Sequence, residues 1–396
     1  MQIDQIIKNL NLEKELIKIR RHFHMYPELS ECEFLTMNKI CKLLDEWGIK
    51  YVKGVAKTGV VALIEGVEKG KTIGIRGDID ALPIEEENEN IDYCSKNAGI
   101  MHACGHDAHI AILLGAAKVL KQMEKQLKGN VKFFFQPAEE TIGGAERMIK
   151  AGCLDNPYVD YVLGLHVEPK YKVGQVGIKY GKMYASSDML TIKIKGKSAH
   201  GAHPEEGVDS IIVAANILNT LQTVVSRNVG ATNSAVCTFG TIHGGRVRNQ
   251  IADYVELEGI VRTLDPETRI YARGKNKKIC KQVADSMGAE GEIIINESYD
   301  PLINNDQVTD IVYKNATKIL GNDNVIIEEV PDLSTEDFSY FAKERKACYF
   351  HLGCASIEKS DSVDLHNSKF NIDENCLIIG VKLQILNILQ LLENKF

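Results

Sequence analysis

Up to about residue 184, short apolar runs alternate with longer helical ones: VVALIEG, KTIGIRGDID, the helical IAILLGAAKVLKQM, VKFFFQPAEE, a helical stretch around GGAERMIKAG, and YVLGLHVEP. Such alternation demands strand–helix crossovers, hence a largely parallel sheet with helices on both faces. From 185 to 297 the rhythm changes to strand MLTIKIKG, helix VDSIIVAANILNTLQTVVS, strands SAVCTFGTI and YVELEGIVRTL, a helix from PETRIYARGKNKKICKQVADSM, and strand GEIIINES. That order, β-α-β-β-α-β, is ferredoxin-like. Crossovers then resume with QVTDIVYKNATKIL, ACYFHLG and a terminal helix. The chain therefore predicts an α/β protein: a larger domain with a mixed, largely parallel sheet over 1–184 and 298–396, and a small α+β domain inserted at 185–297. A length of 396 residues, too great for one ordinary core, agrees with two domains.

Composition narrows the function classes. The net charge of −7 and a longest basic block of KNKK argue against a nucleic-acid partner. The apolar C-terminal run CLIIGVKLQILNILQLL is interrupted by Lys382, Gln384, Asn387 and Gln390 at near-helical intervals, which fits an amphipathic core helix rather than a membrane span. The first residues mix acids and bases in a helical pattern unlike an export or transit signal, and ten cysteines lack the spacing of a disulfide scaffold. The expectation is a cytoplasmic protein with reduced thiols.

Three strands end in side chains that could ligate a cation or move a proton: IGIRGDID, FFFQPAEE and LGLHVE. In open α/β sheets, ligands bind beyond the carboxyl ends of the strands. MHACGHDAH, at 101–109, places Cys104 and His106 just before a long apolar helix that Asp107 could cap, and a thiolate with an imidazole suits a borderline-soft ion. Alone, that pair reads as a capped helix with a polar entry loop. Alone, His166 is a core histidine, Glu139 and Glu140 are acids at a helix start, and Asp78 and Asp80 are caps or solvated acids. His366 in DLHNSKF is weaker still. Together they favour one shared site over independent accidents. The donor total exceeds what one tetrahedral ion needs, so two divalent ions with a bridging ligand are expected. The adjacent Glu139 and Glu140 point in different directions, one free to ligate and the other to face the substrate.

The motifs RGDIDALP, MHACGHDAH, FQPAEE with GGAERMI, GLHVEP, GKSAHGAHP, STEDF and LHNSKF, taken in order, resemble the metal-dependent amidohydrolases that include aminoacylases, hippurate hydrolases and plant indole-acetyl-amino acid hydrolases. The resemblance runs from RRHFHMYPELS nearly to the C-terminus. It implies two metal ions (Mn, Zn, Co or Ni) held by Cys104, His106, Glu140, His166 and His366, with Glu139 as general base. Asp80 would fix a ligand imidazole, and contact between Asp78 and a metal stays open. It further implies a smaller domain that dimerises and closes on the substrate, giving a homodimer or a tetramer. His200 would reach the partner's site to stabilise the oxyanion, and Asn249 and Arg262 would hold the substrate carboxylate. Without the resemblance these three read as a surface histidine, a hairpin polar group and a solvated strand charge.

The chain departs from many relatives at Arg246, Arg248 and Ala252, which implies extra positive charge in the lid loop and a preference for acidic or doubly carboxylated acyl amino acids. The expected reaction is hydrolysis of a small N-acyl amino acid. A dipeptidase or carboxypeptidase is the alternative within the same chemistry, and a non-catalytic metal-binding protein the alternative outside it. A thiol redox protein fits less well, because Cys104 has no partner at C-x-x-C spacing.

Overall fold

The structure, a computed structural model, describes residues 2–88, 91–356 and 363–393. In chain order its elements are α1 (Gln2–Asn9), α2 (Leu12–Met25), α3 (Phe34–Glu46), β1 (Lys50–Val55), β2 (Gly59–Glu65), β3 (Glu68–Asp78), α4 (His106–Gln122), β4 (Lys128–Gln136), α5 (Gly144–Lys150), β5 (Tyr161–Lys172) and β6 (Val176–Ile178). There follow β7 (Gly181–Tyr184), β8 (Ser186–Lys195), α6 (Ser210–Thr223), β9 (Ala235–Gly244), β10 (Tyr254–Thr263), α7 (Pro266–Ser286), β11 (Glu290–Glu297) and β12 (Leu302–Asn304). The chain closes with α8 (Asp306–Leu320), β13 (Val325–Ile327), α9 (Ser339–Glu344), β14 (Lys346–Ala355) and α10 (Asn375–Glu393).

Two compact units emerge. One comprises Met1–Gly181, Ile303–Glu329 and Asp337–Phe396; the other comprises Lys182–Leu302 and Val330–Glu336. The sequence rhythm places the joins at 184/185 and 297/298, whereas the units join at 181/182 and 302/303. Val330–Glu336 goes with the second unit because its backbone bonds there: Asp332 N–H donates to Met183 O at 2.8 Å and Ala185 N–H to Ser334 O at 3.0 Å.

The first unit holds an eight-stranded sheet in the order β1-β2-β4-β3-β5-β14-β6-β13. Its centre, β4-β3-β5-β14, is parallel; β1–β2, β2–β4 and β14–β6 are antiparallel. The central strands are apolar on both faces, as Phe133, Phe134 and Phe135 in succession show, because helices cover both sides. Helix α4 is buried along almost its whole length, packed between α2 and α10. Helix α10 is long and apolar enough to cross a bilayer by length and composition, but Leu377, Val381, Leu383, Ile385, Ile388 and Leu391 lie in the core.

The second unit has a four-stranded antiparallel sheet, β11-β8-β10-β9, which is the ferredoxin-like order. Both its helices start on aspartate caps: Asp209 accepts from Ile211 and Ile212 N–H, and Asp265 from Glu267 and Thr268 N–H.

Candidate metal centre

The carboxyl ends of β3, β4 and β5 lie side by side, so the residues just beyond or near them converge. Asp78 ends β3 and pairs in register with Gln136 at the end of β4. Pro137, Ala138, Glu139 and Glu140 follow β4, and His166 lies on β5 beside β14. The loop carrying Cys104 turns into α4 through Gly105, whose φ of +86° and close approach to Val167 (a Cβ would meet Cγ2 at 2.4 Å) admit no side chain. His366, at φ 61°, is fixed on the loop before α10 by its N–H donating to Ala103 O at 2.9 Å.

Ligand-type atoms from all five expected positions meet. Cys104 Sγ lies 3.4 Å from His166 Nε2 and 3.3 Å from His366 Nε2. Glu140 Oε1 lies 3.4 Å from His366 Nε2 and 3.8 Å from His106 Nε2. Two triads result, Cys104/His106/His166 and Cys104/Glu140/His366, and they share the one sulfur. A tetrahedral ion with bonds of 2.0 to 2.3 Å sets its ligands about 3.3–3.7 Å apart, so the spacings of 3.3 and 3.4 Å around Cys104 and His366 are those of a ligand shell.

Unsatisfied atoms point the same way. His106 Nδ1–H donates to the Asp80 carbonyl at 2.9 Å and His166 Nδ1–H to Val167 O at 2.7 Å. Each ring therefore turns its Nε2 lone pair inward. His106 Nε2 and Glu140 Oε1 are buried without a hydrogen-bond partner, which is costly unless a cation completes them. The donor set fits two divalent ions.

Charge tells the same story. Burial pushes the Cys104 thiol well above its usual range, and Glu140, Glu139 and Asp78 push it further. Burial lowers His106, but Asp78, Asp80 and Glu140 outweigh it and lift the ring to about 10. His166, lacking so many carboxylates, is held well below its ordinary value by burial and by the rings of His109 and His106. The opposite directions for two neighbouring imidazoles reflect an excess of buried negative charge around His106. A divalent cation would replace the protons on His106 and Cys104 and convert both to ligands.

Asp80 reaches His106 chiefly through its main chain; its Oδ1 lies 3.4 Å from Nδ1. Its Oδ2 instead accepts the Glu140 N–H at 3.0 Å and the Ser30 hydroxyl at 2.7 Å. Glu139 is 8% exposed and sits with Glu140 near His106. Asp78 has both oxygens engaged, by His109 Nδ1 at 2.5 Å and Arg76 Nη1 at 2.6 Å. Arg76, inside β3, also grips Asp337 at 2.8 Å and Gln136 at 2.8 Å. Burial disfavours the Asp78 charge, yet Arg76, His106 and His109 hold its carboxyl well below the usual range.

Asp107 does not cap α4, since Gly105 takes the N-cap place. It pairs with Arg20 Nε at 2.7 Å and with His24 Nδ1 at 2.8 Å. Arg20 also donates to Asn371 at 3.0 Å. Sequence reasoning assigned no part to His109, Arg20 or His24. The available signals were charged residues inside apolar elements, Arg76 in a buried strand and Arg20 with His24 four apart on one helix.

Within the second unit, the loops of His200 and Asn249 pair, with Gly201 N–H donating to Asn249 O at 2.8 Å. His200 is exposed, and its Nδ1 accepts the Ala202 N–H at 3.1 Å. Arg262 stands on β10 in register with Ser187 and Val236, and its Nη1 is buried without a hydrogen-bond partner. Arg246 and Arg248 are exposed; Arg246 lies 3.7 Å from Asp253.

Known proteins resemble this chain in sequence and fold. The chain is 42% identical over 367 residues to the N-acetyl-L-cysteine deacetylase of Bacillus subtilis, covering 93% of this chain and 86% of that one. It is 36% identical over 386 residues to thermostable carboxypeptidase 1 of Saccharolobus solfataricus, covering 96% of each. Among solved structures, a dinuclear metal binding peptidase of Bacillus subtilis superposes with a TM-score of 0.84 at 32% identity, covering 97% of this chain and 99% of that one. The model of peptidase family M20/M25/M40 matches residues 74–388, and the chain, with its strand-end donors in that frame, belongs to this family and is a hydrolase of amide bonds.

Proposed function

We propose that the protein hydrolyses N-acyl amino acids, with Cys104, His106, His166, Glu140 and His366 as the residues that would hold two divalent ions. The observation that carries this reading is the pair of triads sharing Cys104, with Glu139 beside them. Bound there, the ions would lower the pKa of a shared water to roughly 7 and polarise the scissile carbonyl. Glu139 takes the proton of the attacking water and passes it to the leaving amine. An ion with mixed sulfur, nitrogen and oxygen preference suits the set, so Mn, Zn, Co and Ni are the candidates.

The second unit supplies the remaining roles. Because His200 Nδ1 accepts from Ala202, its proton resides on Nε2, which makes it a donor for an oxyanion. We assign that role to it across a homodimer, in which the second unit also serves as lid. The exposed Ile242 on edge strand β9 and Ile211 and Ile212 on α6 support such an interface. Asn249 and Arg262 hold the substrate carboxylate, and Arg246 and Arg248 favour an acidic acyl amino acid. Ten free cysteines support a cytoplasmic setting.

A carboxypeptidase activity is the second reading, favoured by the identity to the archaeal carboxypeptidase. The test is a panel of N-acetyl and N-benzoyl amino acids, N-acetyl-diaminopimelate and dipeptides, given to protein reconstituted with each metal and followed by amine release. Chelator-sensitive release from acyl amino acids supports the proposal, preference for dipeptides moves it to the second reading, and no release overturns both.

A further inference from the structure

Glu33 occupies the N-cap position of α3, yet its side chain makes no bond to that helix. Glu28 does that work instead, its Oε2 accepting the Thr36 N–H at 2.7 Å and the Thr36 hydroxyl at 3.0 Å. The Glu33 carboxylate, fully buried, crosses to the turn after β4. Its Oε1 accepts the Ala138 N–H at 2.9 Å and its Oε2 the Thr58 hydroxyl at 2.6 Å. Ala138 has φ 55°, a left-handed conformation that a residue with a Cβ adopts only at an energetic cost.

That conformation lies between Pro137 and Glu139. It sits where the chain leaves β4 for Glu139 and Glu140, whose carboxylates both come near His106. The far side is tied too: Gly143 N–H donates to Ala138 O at 3.0 Å, and Gly144 passes so near Pro137 that a Cβ would lie 1.8 Å from its carbonyl oxygen. Glu140 N–H goes to Asp80, itself held by Ser30, and Arg147 pairs with Glu31. The segment from Glu28 to Glu33 thus braces the turn, and Glu33 is its one bond to the left-handed residue's N–H.

We propose that Glu33 is a positioning residue: its buried carboxylate pins Ala138 in the left-handed conformation that aims Glu139 at the reacting water and Glu140 at the metal. This rests on the reading of Glu139 as general base. Without the acceptor, Ala138 relaxes toward ordinary φ and the carboxylate of Glu139 shifts, which oriented catalysis does not tolerate.

The test uses metal-loaded full-length enzyme. Glu33→Ala is expected to lower kcat about 10- to 100-fold with KM within about threefold, whereas Glu33→Gln, which keeps an acceptor oxygen, recovers most of that loss. In an Ala138→Gly background the left-handed φ carries no Cβ penalty, so the loss caused by Glu33→Ala shrinks several-fold. A merely structural role would lower the unfolding midpoint without this rescue. If Glu33→Ala does not fold, Thr58→Val, which removes the donor to Glu33, is expected to give a milder loss with the same rescue. Hydrogen exchange at the Ala138 amide supplies a readout apart from activity: protected in the parent, faster in Glu33→Ala. Wild-type kcat in folded Glu33→Ala, an undiminished loss in the Ala138→Gly background, or unchanged amide exchange overturns the proposal. Full turnover in Glu139→Gln would instead remove the base reading, and the amide exchange alone would then decide whether Glu33 holds the turn.

Discussion

His109 spends both ring nitrogens on the protein, one of them on Asp78. Nδ1 of the ring donates to Asp78 Oδ1 at 2.5 Å, and Nε2 accepts the Val167 N–H at 2.9 Å, so neither ring nitrogen has a lone pair to spare. His109 thereby ties β3 to β5 beside His166, and in the proposed site it would orient the ligands without being one. His109→Ala is therefore expected to weaken metal affinity by about 10- to 100-fold while two ions still bind at saturation. Metal titration with stoichiometry by elemental analysis checks this, and a drop to one ion at saturating metal would make His109 a ligand.

In the proposed reaction Glu139 is a proton-transfer group rather than a ligand. Glu139→Gln keeps the volume and the hydrogen-bonding capacity but cannot take a proton at neutral pH. Turnover is expected to fall about 10²–10⁴-fold with metal content unchanged. Steady-state kinetics alongside metal analysis on the same preparation measures both, and undiminished kcat would remove the base assignment.

The alternation of strands and helices was legible because it is local, and ligand-type residues where strands stop pointed to one shared site; which of them would ligate came only from the family resemblance. Strand β1 was not legible, since it is mostly exposed and lacks alternation; only its antiparallel pairing with β2 makes it a strand. Strands β6 and β13, three residues each, are too short to leave a pattern. Asp107 read as a cap because its spacing to α4 is local information, while its partners Arg20 and His24 arrive from a helix far earlier in the chain. The backbone of Ala138 and its bond to Glu33 were invisible for the same reason. Long-range polar pairing carries no periodicity.

Arg20 ties the start of α4 to the segment that follows His366. It meets Asp107, next to His106, and Asn371 and Glu374, on the segment that follows His366. Both Arg20 and Asp107 side chains are fully buried. Burial disfavours the Asp107 charge, but Arg20 and His24 hold the carboxyl far below its usual range. Removing one member strands the other's charge, so Arg20→Met is expected to destabilise the protein by about 3–5 kcal/mol. The double variant with Asp107→Asn is expected to be less destabilised than the sum of the two single changes. Urea unfolding of the four proteins gives the cycle, and additive effects would show that the pair is not coupled.

A partly buried carboxylate, Glu328, sets an acid limit away from the metal site. Glu328 Oε1 accepts from His351 Nδ1 at 2.7 Å, from the Tyr171 hydroxyl at 2.7 Å and from Lys170 Nζ at 3.2 Å. Burial raises its pKa, but these contacts, His351 first, outweigh it and bring the group from 4.5 down to about 2. Because the folded value lies below the unfolded one, the unfolded chain binds the proton first as pH falls. The stabilisation is complete above about pH 4.5 and is lost progressively toward pH 2. Gln at this position does not titrate, so the stability advantage of the parent over Glu328→Gln should be full at pH 6, smaller at pH 4 and smallest near pH 3. Protonation of the metal ligands affects both proteins alike and cancels in the difference. An advantage that stays constant from pH 6 to 3, measured by urea unfolding, would show that the Glu328 charge contributes nothing to the folded state.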